Sequence, residues 1–278
     1  MTMHQGNALF AGRRRLLLAG AALGGLGLAG CATTASGPSI GRVVVVGGGF
    51  GGTTAARYLR MWGGNIDVTL VERNASFVSC PISNLVVGGF KGMADISRSY
   101  DGLTALGVKV VQGDVTGIDA AGKKVRLAGG QELAYDRLIL SPGIDFMTDQ
   151  VGGLAAALDS GRIQHSWKAG PQTVALRKQL TDMADGGVYA ISIPKVPYRC
   201  PPGPYERACM VAAYFKQAKP RSKVLVLDAN PEVQSKKALF ERAFTQHYKG
   251  ILEYRANAEL KEAAGTVAKL EFEDVKAD

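Results

Sequence analysis

The chain has 278 residues, enough for roughly two domains at about 150 residues each, with ample length to bury real cores. Hydrophobic residues at 46% and charged residues at 21% exclude a disordered tail and a multi-span membrane protein, and the 36 glycines follow no collagen-like period. The net charge of +9 falls to +6 once three arginines of an acid-free N-terminal stretch are set aside; that balance suits an acidic partner or an anionic substrate as well as nucleic acid, and no basic run elsewhere favours DNA.

Residues 1–31 are predicted to be an export signal. Gly12-Arg13-Arg14-Arg15-Leu16-Leu17 precedes a small, apolar, glycine-rich run ending at Leu28-Ala29-Gly30-Cys31, too short to span a bilayer comfortably. The paired arginines followed by x-Leu-Leu resemble a twin-arginine signal, the route for proteins exported already folded. Leu-Ala-Gly-Cys also resembles a lipobox, in which Cys31 would carry a lipid anchor. The other reading is plain cleavage near Thr34-Ala35, which discards Cys31; both put the mature protein in the periplasm. Residues 32–40 read as a linker.

The folded part opens with four valines, Val43 to Val46, in the pattern of a strand buried on both faces. They run into Gly47-Gly48-Gly49-Phe50-Gly51-Gly52, then a helix-like stretch from Thr53 to Met61, then a second strand ending at Glu72, 20 residues after Gly52. Each part serves a dinucleotide: Gly47 turns tightly, Gly49 lets backbone approach a pyrophosphate, Gly52 lets helix touch strand, and Glu72 accepts a ribose hydroxyl. Strands are predicted within Val108 to Asp119, a hairpin over Lys124 to Leu133 around Gly129-Gly130, and another buried strand from Tyr135 to Leu140. A β-excursion closing on Tyr135 to Gly143 looks like the FAD domain of flavoproteins with two dinucleotide domains. Residues 41–152 are therefore assigned to FAD binding.

Residues 153–278 are predicted to form a second Rossmann-like domain, cut short. The expected elements are a strand from Val188 to Ile193, a helix from Tyr205 to Lys216, a strand from Val224 to Leu227 with Asp228 at its end, and a strand-like Ala268 to Phe272. The loop after the first of these strands is Pro194-Lys195-Val196-Pro197-Tyr198-Arg199-Cys200-Pro201-Pro202-Gly203-Pro204. A nicotinamide binder needs glycines there, and prolines remove N–H donors, so a pyridine nucleotide is disfavoured. The four cysteines, Cys31, Cys80, Cys200 and Cys209, make no Cys-x-x-Cys pair, and the three histidines are scattered; no metal site and no haem attachment is expected in this chain. Cys209 falls in an apolar helix run and reads as core, and Trp167 reads as a packing residue.

Five segments together resemble the flavoprotein subunit of flavocytochrome c sulfide dehydrogenase: Val43 to Gly52, Cys80-Pro81-Ile82-Ser83-Asn84, Trp167-Lys168-Ala169-Gly170, Met183-Ala184-Asp185-Gly186-Gly187, and Arg199-Cys200-Pro201-Pro202-Gly203-Pro204-Tyr205-Glu206-Arg207-Ala208. The resemblance implies an α/β fold with two Rossmann-like domains of the glutathione-reductase type, the second incomplete. It implies FAD held by Gly47, Gly49, Phe50, Gly51, Gly52 and Glu72, with Arg73, Val115, Ser141, Pro142 and Gly143 completing the set. It further implies a thioether from Cys80 to the flavin 8α-methyl, a departure in context being Pro81, and a redox disulfide contributed in part by Cys200. The family continues through a Gly-Asp flavin contact, a second redox cysteine and a C-terminal domain that these 278 residues do not show; the expectation is either a fragment or split gene product, or parts that come from elsewhere.

The implied chemistry is oxidation of sulfide, with electrons passing through FAD to a c-type cytochrome subunit in a heterodimer; any haem belongs to that partner. Hydrosulfide attacks a disulfide sulfur and leaves a persulfide and a thiolate. Arg199 and the helix start near Tyr205 are expected to stabilise the thiolate at Cys200, and Glu206 is the candidate proton relay, or else an ordinary first-turn acid. Two alternatives stay open: a sulfide:quinone reductase-like flavoprotein, and a non-catalytic flavin-binding fragment.

Overall fold

The structure, a computed structural model, describes residues 37–264, 267–270 and 274–276; the export signal with Cys31 lies outside the described residues. Strand β1 (Gly41–Val46) lies between β2 (Ile66–Glu72) and β9 (Arg137–Leu140), with β5 (Lys109–Gln112) beyond β2, all parallel. Both faces of β1 are covered. Val43 and Val45 point to one side, with Ala56, Val68 and Leu70, and Val44 points to the other, with Val71, Val125 and Tyr135. That two-sided cover is why the sequence shows valines in succession rather than in alternation. Burial of each such valine is worth about 1.5–3 kcal/mol.

Helix α1 (Phe50–Trp62) starts earlier than the expected Thr53, because the glycine turn is itself the first turn: Thr53 N–H and its hydroxyl both donate to the Gly49 carbonyl, at 3.0 and 2.8 Å. Strands β3 (Phe77–Val78) and β4 (Ser97–Arg98) form a short antiparallel pair. A meander of β6 (Val115–Asp119), β7 (Lys124–Leu127) and β8 (Glu132–Ala134) covers the second face of the sheet, its hairpin turning at Gly129 and Gly130, both at φ +86. The strand expected to be buried from Tyr135 to Leu140 is shorter and half-buried. As the sheet edge, β9 has one strand neighbour among the described residues, and Leu140 is 56% exposed, while Tyr135 packs under the meander.

The second unit has a three-stranded parallel sheet of β10 (Val188–Ile193), β11 (Lys223–Asp228) and β12 (Leu252–Arg255), in that order. Three helices matter to the site: α2 (Ser83–Val87), α3 (Pro171–Asp182) and α4 (Gly203–Ala218). Helix α4 lays Tyr205, Ala208, Val211, Ala212 and Phe215 on Ile193, Val224 and Val226, and Cys209 is buried with them, as its apolar neighbours predict. It begins at Gly203 rather than Tyr205, with Pro204 in the first turn, where its missing N–H costs nothing. Val87 of α2 joins the same core, so the loop that follows Cys80 is anchored to the second unit. After β12 the chain forms an antiparallel set, β13 (Leu260–Ala264), β14 (Val267–Leu270) and β15 (Asp274–Lys276). The expected strand at Ala268 falls on β14; Phe272 lies outside the described residues.

Candidate active site

The glycine loop sits at the C-terminal ends of β1 and β2, the ligand-facing edge of an open α/β sheet. Gly47 adopts φ +100, and a Cβ there would stand 2.0 Å from the Ser141 carbonyl oxygen; one on Gly52 would stand 1.8 Å from the Gly47 carbonyl oxygen. Gly49 differs, since a Cβ there meets nothing within 4 Å. The two crowded glycines shape the turn, and the third leaves open space in front of the helix N-terminus, where backbone N–H groups and the helix dipole favour a pyrophosphate. The residues present fit the dinucleotide of FAD.

The other expected flavin contacts divide into those the fold brings to this loop and those it does not. Ser141 N–H donates to the Val46 carbonyl at 2.8 Å, its hydroxyl faces Gly51, and Gly143 continues past Pro142 at φ +83 into open space. Glu72 accepts the Gly48 N–H at 2.6 Å on one oxygen, and the Asn74 backbone N–H and side-chain amide at 2.9 and 2.7 Å on the other. Phe50, 53% exposed, lies edge-on to Phe77 at 4.9 Å. Arg73 is turned to the surface in an ion pair with Asp114 at 2.9 Å, and half-buried Val115 packs with the meander core. Sequence reasoning missed Tyr100, whose hydroxyl donates to the Gly48 carbonyl at 3.1 Å; burial and then the neighbouring Glu72 push its phenol up to about 12.

The turns that carry Cys80 and Cys200 are joined where α2 packs against α4. Cys200 has φ +57 and is exposed; its carbonyl accepts the Gly203 N–H at 2.9 Å, and its sulfur lies 3.2 Å from where a Gly203 Cβ would be. The sulfur therefore rests against the first turn of α4, as the sequence predicts. Asn84, buried four residues after Cys80, donates to the Gly203 carbonyl at 3.2 Å and to the Glu206 carboxylate at 2.8 Å. The Cys80 turn is thus tied to the Cys200 turn by one amide. The Cys80 thiol donates to the Trp167 carbonyl at 3.1 Å, so Trp167 contributes its backbone, while its ring packs edge-on to Tyr198 at 5.8 Å.

Charge in this pocket is arranged unevenly. Burial pushes the Cys80 thiol up, and Arg199 and then Arg207 pull it back down. Arg199 is exposed, whereas Arg207 is buried, and burial lowers its pKa. His165 is pushed down by burial and then by Lys168 and Arg207, and its ring lies 4.3 Å from that of Phe146. Buried Cys209 is pushed up to about 11, which keeps it a neutral thiol. Arg207 was not singled out from the sequence; the available signal was a lone charge inside the buried run of α4.

The proline-rich loop is pinned to Asp228 at the end of β11. Asp228 is fully buried; one oxygen accepts the Tyr205 and Tyr254 hydroxyls at 2.6 and 2.9 Å, and the other accepts the Asn230 N–H and side-chain amide at 3.0 and 2.7 Å. Asn230 also donates to the Pro194 carbonyl and accepts the Val196 N–H, and the Tyr198 hydroxyl reaches that of Tyr205 at 3.4 Å. In pyridine-nucleotide folds an acid at this strand end takes ribose hydroxyls. Here the chain's own hydroxyls and amide occupy it.

Comparison with known proteins agrees with this geometry. A family model described as pyridine nucleotide-disulphide oxidoreductase matches residues 41–173, and one described as sulfide dehydrogenase [flavocytochrome c] flavoprotein chain, central, matches residues 173–278. The chain is 62% identical over 45 residues to the sulfide dehydrogenase [flavocytochrome c] flavoprotein chain of Chlorobaculum thiosulfatiphilum, covering 16% of this chain and 94% of that sequence. It is 27% identical over 186 residues to the mitochondrial sulfide:quinone oxidoreductase of Mus musculus, covering 66% of this chain and 41% of the mouse protein. The solved sulfide:quinone oxidoreductase of Aquifex aeolicus shares the fold, with a TM-score of 0.71 at 21% identity over 85% of this chain and 56% of that one. The chain thus spans about half the length of these two sulfide:quinone oxidoreductases. The two family models meet at residue 173 and together run from β1 through β15. With the Chlorobaculum match, they place this protein in the family of the flavoprotein chain of flavocytochrome c sulfide dehydrogenase.

Proposed function

We propose that this chain is the flavin-carrying part of an exported sulfide dehydrogenase, oxidising hydrosulfide at Cys200 beside FAD attached through Cys80 and passing electrons to a c-type cytochrome subunit. The observation that carries the reading is the Asn84 bridge, which joins the Cys80 turn to the first turn of α4 beneath Cys200. A flavin attached at Cys80 would be carried by the turn that Asn84 ties to the turn bearing Cys200. The twin-arginine-like leader supports export before partner assembly, and the lipobox reading adds a membrane tether through Cys31.

Cys200 is read as one half of a redox disulfide, as the family resemblance implies. Hydrosulfide attacks one disulfide sulfur; the S–S bond breaks, a persulfide forms on the attacked cysteine, and the other leaves as a thiolate. One hydrosulfide taken to the level of elemental sulfur yields two electrons and one proton. Glu206, exposed and hydrogen-bonded to Asn84, is positioned to take that proton to solvent. FAD supplies the ability to accept an electron pair and release it singly. Asp228, filled by the chain's own groups, supports sulfide rather than a pyridine nucleotide as the electron source.

Anaerobic mixing of the flavin-loaded protein with hydrosulfide and an oxidised c-type cytochrome tests the reading. The expected result is sulfide-dependent cytochrome reduction that falls at least about 100-fold in Cys200→Ser, as loss of a covalently reacting sulfur does. Reduction of a quinone but not of the cytochrome would favour the quinone reductase reading, which the mouse relative supports. Failure with both acceptors and with direct flavin bleaching would contradict sulfide oxidation by this chain.

A further inference from the structure

Exposed apolar side chains of the first unit gather at the edge of its sheet where β1, β2 and β5 start and α1 ends. Ile40 and Trp62 are 74% and 75% exposed, and Met61 and Leu106 are exposed beside them in the chain turns that lead into these strands. Tyr58, one turn back from Trp62 on α1, stacks on its ring at 4.2 Å, and the Arg57 guanidinium stands 6.0 Å from the Tyr58 ring. The segments are fixed to one another. The Ile40 N–H donates to the Asn65 carbonyl at 2.9 Å, and Arg60 donates to the Leu106 and Ile66 carbonyls at 3.2 and 2.6 Å. Single exposed hydrophobic residues are ordinary, but a fixed cluster built around a stacked tyrosine and tryptophan marks an interaction surface.

We propose that this edge rests on the surface of an anionic phospholipid bilayer, with Tyr58, Met61 and Trp62 in the headgroup layer. Tyrosine and tryptophan have an apolar body and a polar tip, which suits the boundary between water and lipid. At the strand starts and the end of α1 the basic residues Arg42, Arg57, Lys109 and Arg137 outnumber the acids Asp67 and Asp136, a balance that favours anionic headgroups. The path of the chain places the bilayer here rather than elsewhere. The Asn65 side-chain amide donates to the Gly37 carbonyl, so the linker enters beside Trp62, and the six residues from Cys31 to Gly37 span at most about 20 Å. A lipid on Cys31 therefore holds this edge close to the membrane, and the aromatic cluster adds the second signal that stable anchoring takes. The tether rests on the lipobox reading given above; the aromatic edge does not. Helix α1, with 13 residues, is about 20 Å long and carries the glycine loop at its other end, so a covered Trp62 edge leaves the flavin-facing edge open to sulfide and to an electron acceptor. No helix among the described residues is long and apolar enough to cross a membrane, and the proposed contact is with the surface alone.

The test uses the exported, flavin-loaded chain, with peptide mass showing whether Cys31 carries lipid, and vesicles of phosphatidylethanolamine and phosphatidylglycerol with or without bromine on the acyl chains. The chain has two tryptophans, so the difference between wild type and Trp62→Phe isolates the fluorescence of Trp62 from that of Trp167. Brominated vesicles are expected to quench Trp62 and to spare Trp167. Without lipid on the chain, Met61→Ser combined with Trp62→Ser should lower the bound fraction in vesicle sedimentation about tenfold or more, as loss of a buried large apolar side chain does. Binding should also weaken at about 1 M salt and on vesicles lacking phosphatidylglycerol. Trp62 emission indifferent to bromine at millimolar lipid would overturn the proposal. So would a dimer in solution that the double variant dissolves, which assigns the face to a second copy of the chain. Quenching of Trp62 in a chain with no lipid on Cys31 would refute the tether and leave the aromatic edge standing, whereas a lipid-bearing chain with unquenched Trp62 would do the reverse.

Discussion

A Cβ on Gly52 would stand 1.8 Å from the carbonyl oxygen of Gly47, a backbone atom that cannot move without opening the turn between β1 and α1. Gly49, three residues earlier, has extended backbone and open space at its Cβ position. The two glycines should therefore fail differently. Gly52→Ala is expected to lose both the fold of this unit and its flavin. Gly49→Ala should keep its melting temperature, within about 0.5 kcal/mol of stability, yet bind flavin at least about tenfold more weakly, because its methyl projects into the pyrophosphate space. Thermal melts and flavin titration separate the two; equal flavin binding by Gly49→Ala and wild type would show that no dinucleotide approaches there.

The Asp228 network predicts a second contrast. Tyr205→Phe removes the hydroxyl that donates to Asp228 and accepts the Gln234 N–H at 3.1 Å, so a loss of about 1–3 kcal/mol in denaturant melts is expected. Because Asp228 is already saturated, millimolar NADH should leave the flavin oxidised in wild type, and freeing the carboxylate with Tyr205→Phe should not create NADH activity while the proline loop still lacks phosphate-binding N–H groups. Anaerobic bleaching by NADH in either protein would contradict this reading.

The cysteines of α4 and its preceding loop should separate stability from chemistry. Cys209→Ser places a hydroxyl in a buried apolar site and should cost about 1–3 kcal/mol without changing the rate of sulfide oxidation. Cys200→Ser, on an exposed sulfur, should melt like wild type and lose turnover. A reversal of the two phenotypes would move the reactive sulfur to α4.

Acid stability has a nameable contributor. Asp136 accepts the Arg42 backbone N–H at 2.8 Å and pairs with its guanidinium at 3.1 Å, and these bonds hold its carboxyl down at about 2, against roughly 3.9 for a free aspartate. A carboxylate with a lowered folded-state pKa stabilises above the unfolded value, and that contribution is lost as pH falls from about 4 through about 2. Both side chains are largely exposed, so the effect is modest and sensitive to salt. The gap in melting temperature between wild type and Asp136→Asn should close over that pH range; a gap constant with pH would assign the effect to packing.

The glycine fingerprint and its strands were legible because their signals are local. Valine runs, glycine spacing and the acid that ends β2 all lie within one stretch of chain, and each has a single steric or electrostatic cause. The place of the proline loop, between β10 and α4, was equally legible. What the sequence hid was assembled across distance: Cys80 with Trp167, Arg207 with Ser166, and Asn84 with Glu206 each join segments far apart in the chain. Backbone carbonyls carry two of these contacts, and a carbonyl leaves no mark in residue type. Arg73, offered as a flavin contact by the family resemblance, pairs here with Asp114 at 2.9 Å, another contact that residue type does not announce.

The proposed attachment of the flavin to Cys80, held against the Trp167 carbonyl, can be read chemically. Acid denaturation of the purified flavin-loaded chain, followed by digestion and mass measurement of the peptide containing Cys80, tests it most directly. A yellow precipitate and a Cys80 peptide heavier by one FAD less two hydrogens are expected. Flavin released entirely to the supernatant, with Cys80 recovered as a free thiol, would contradict it.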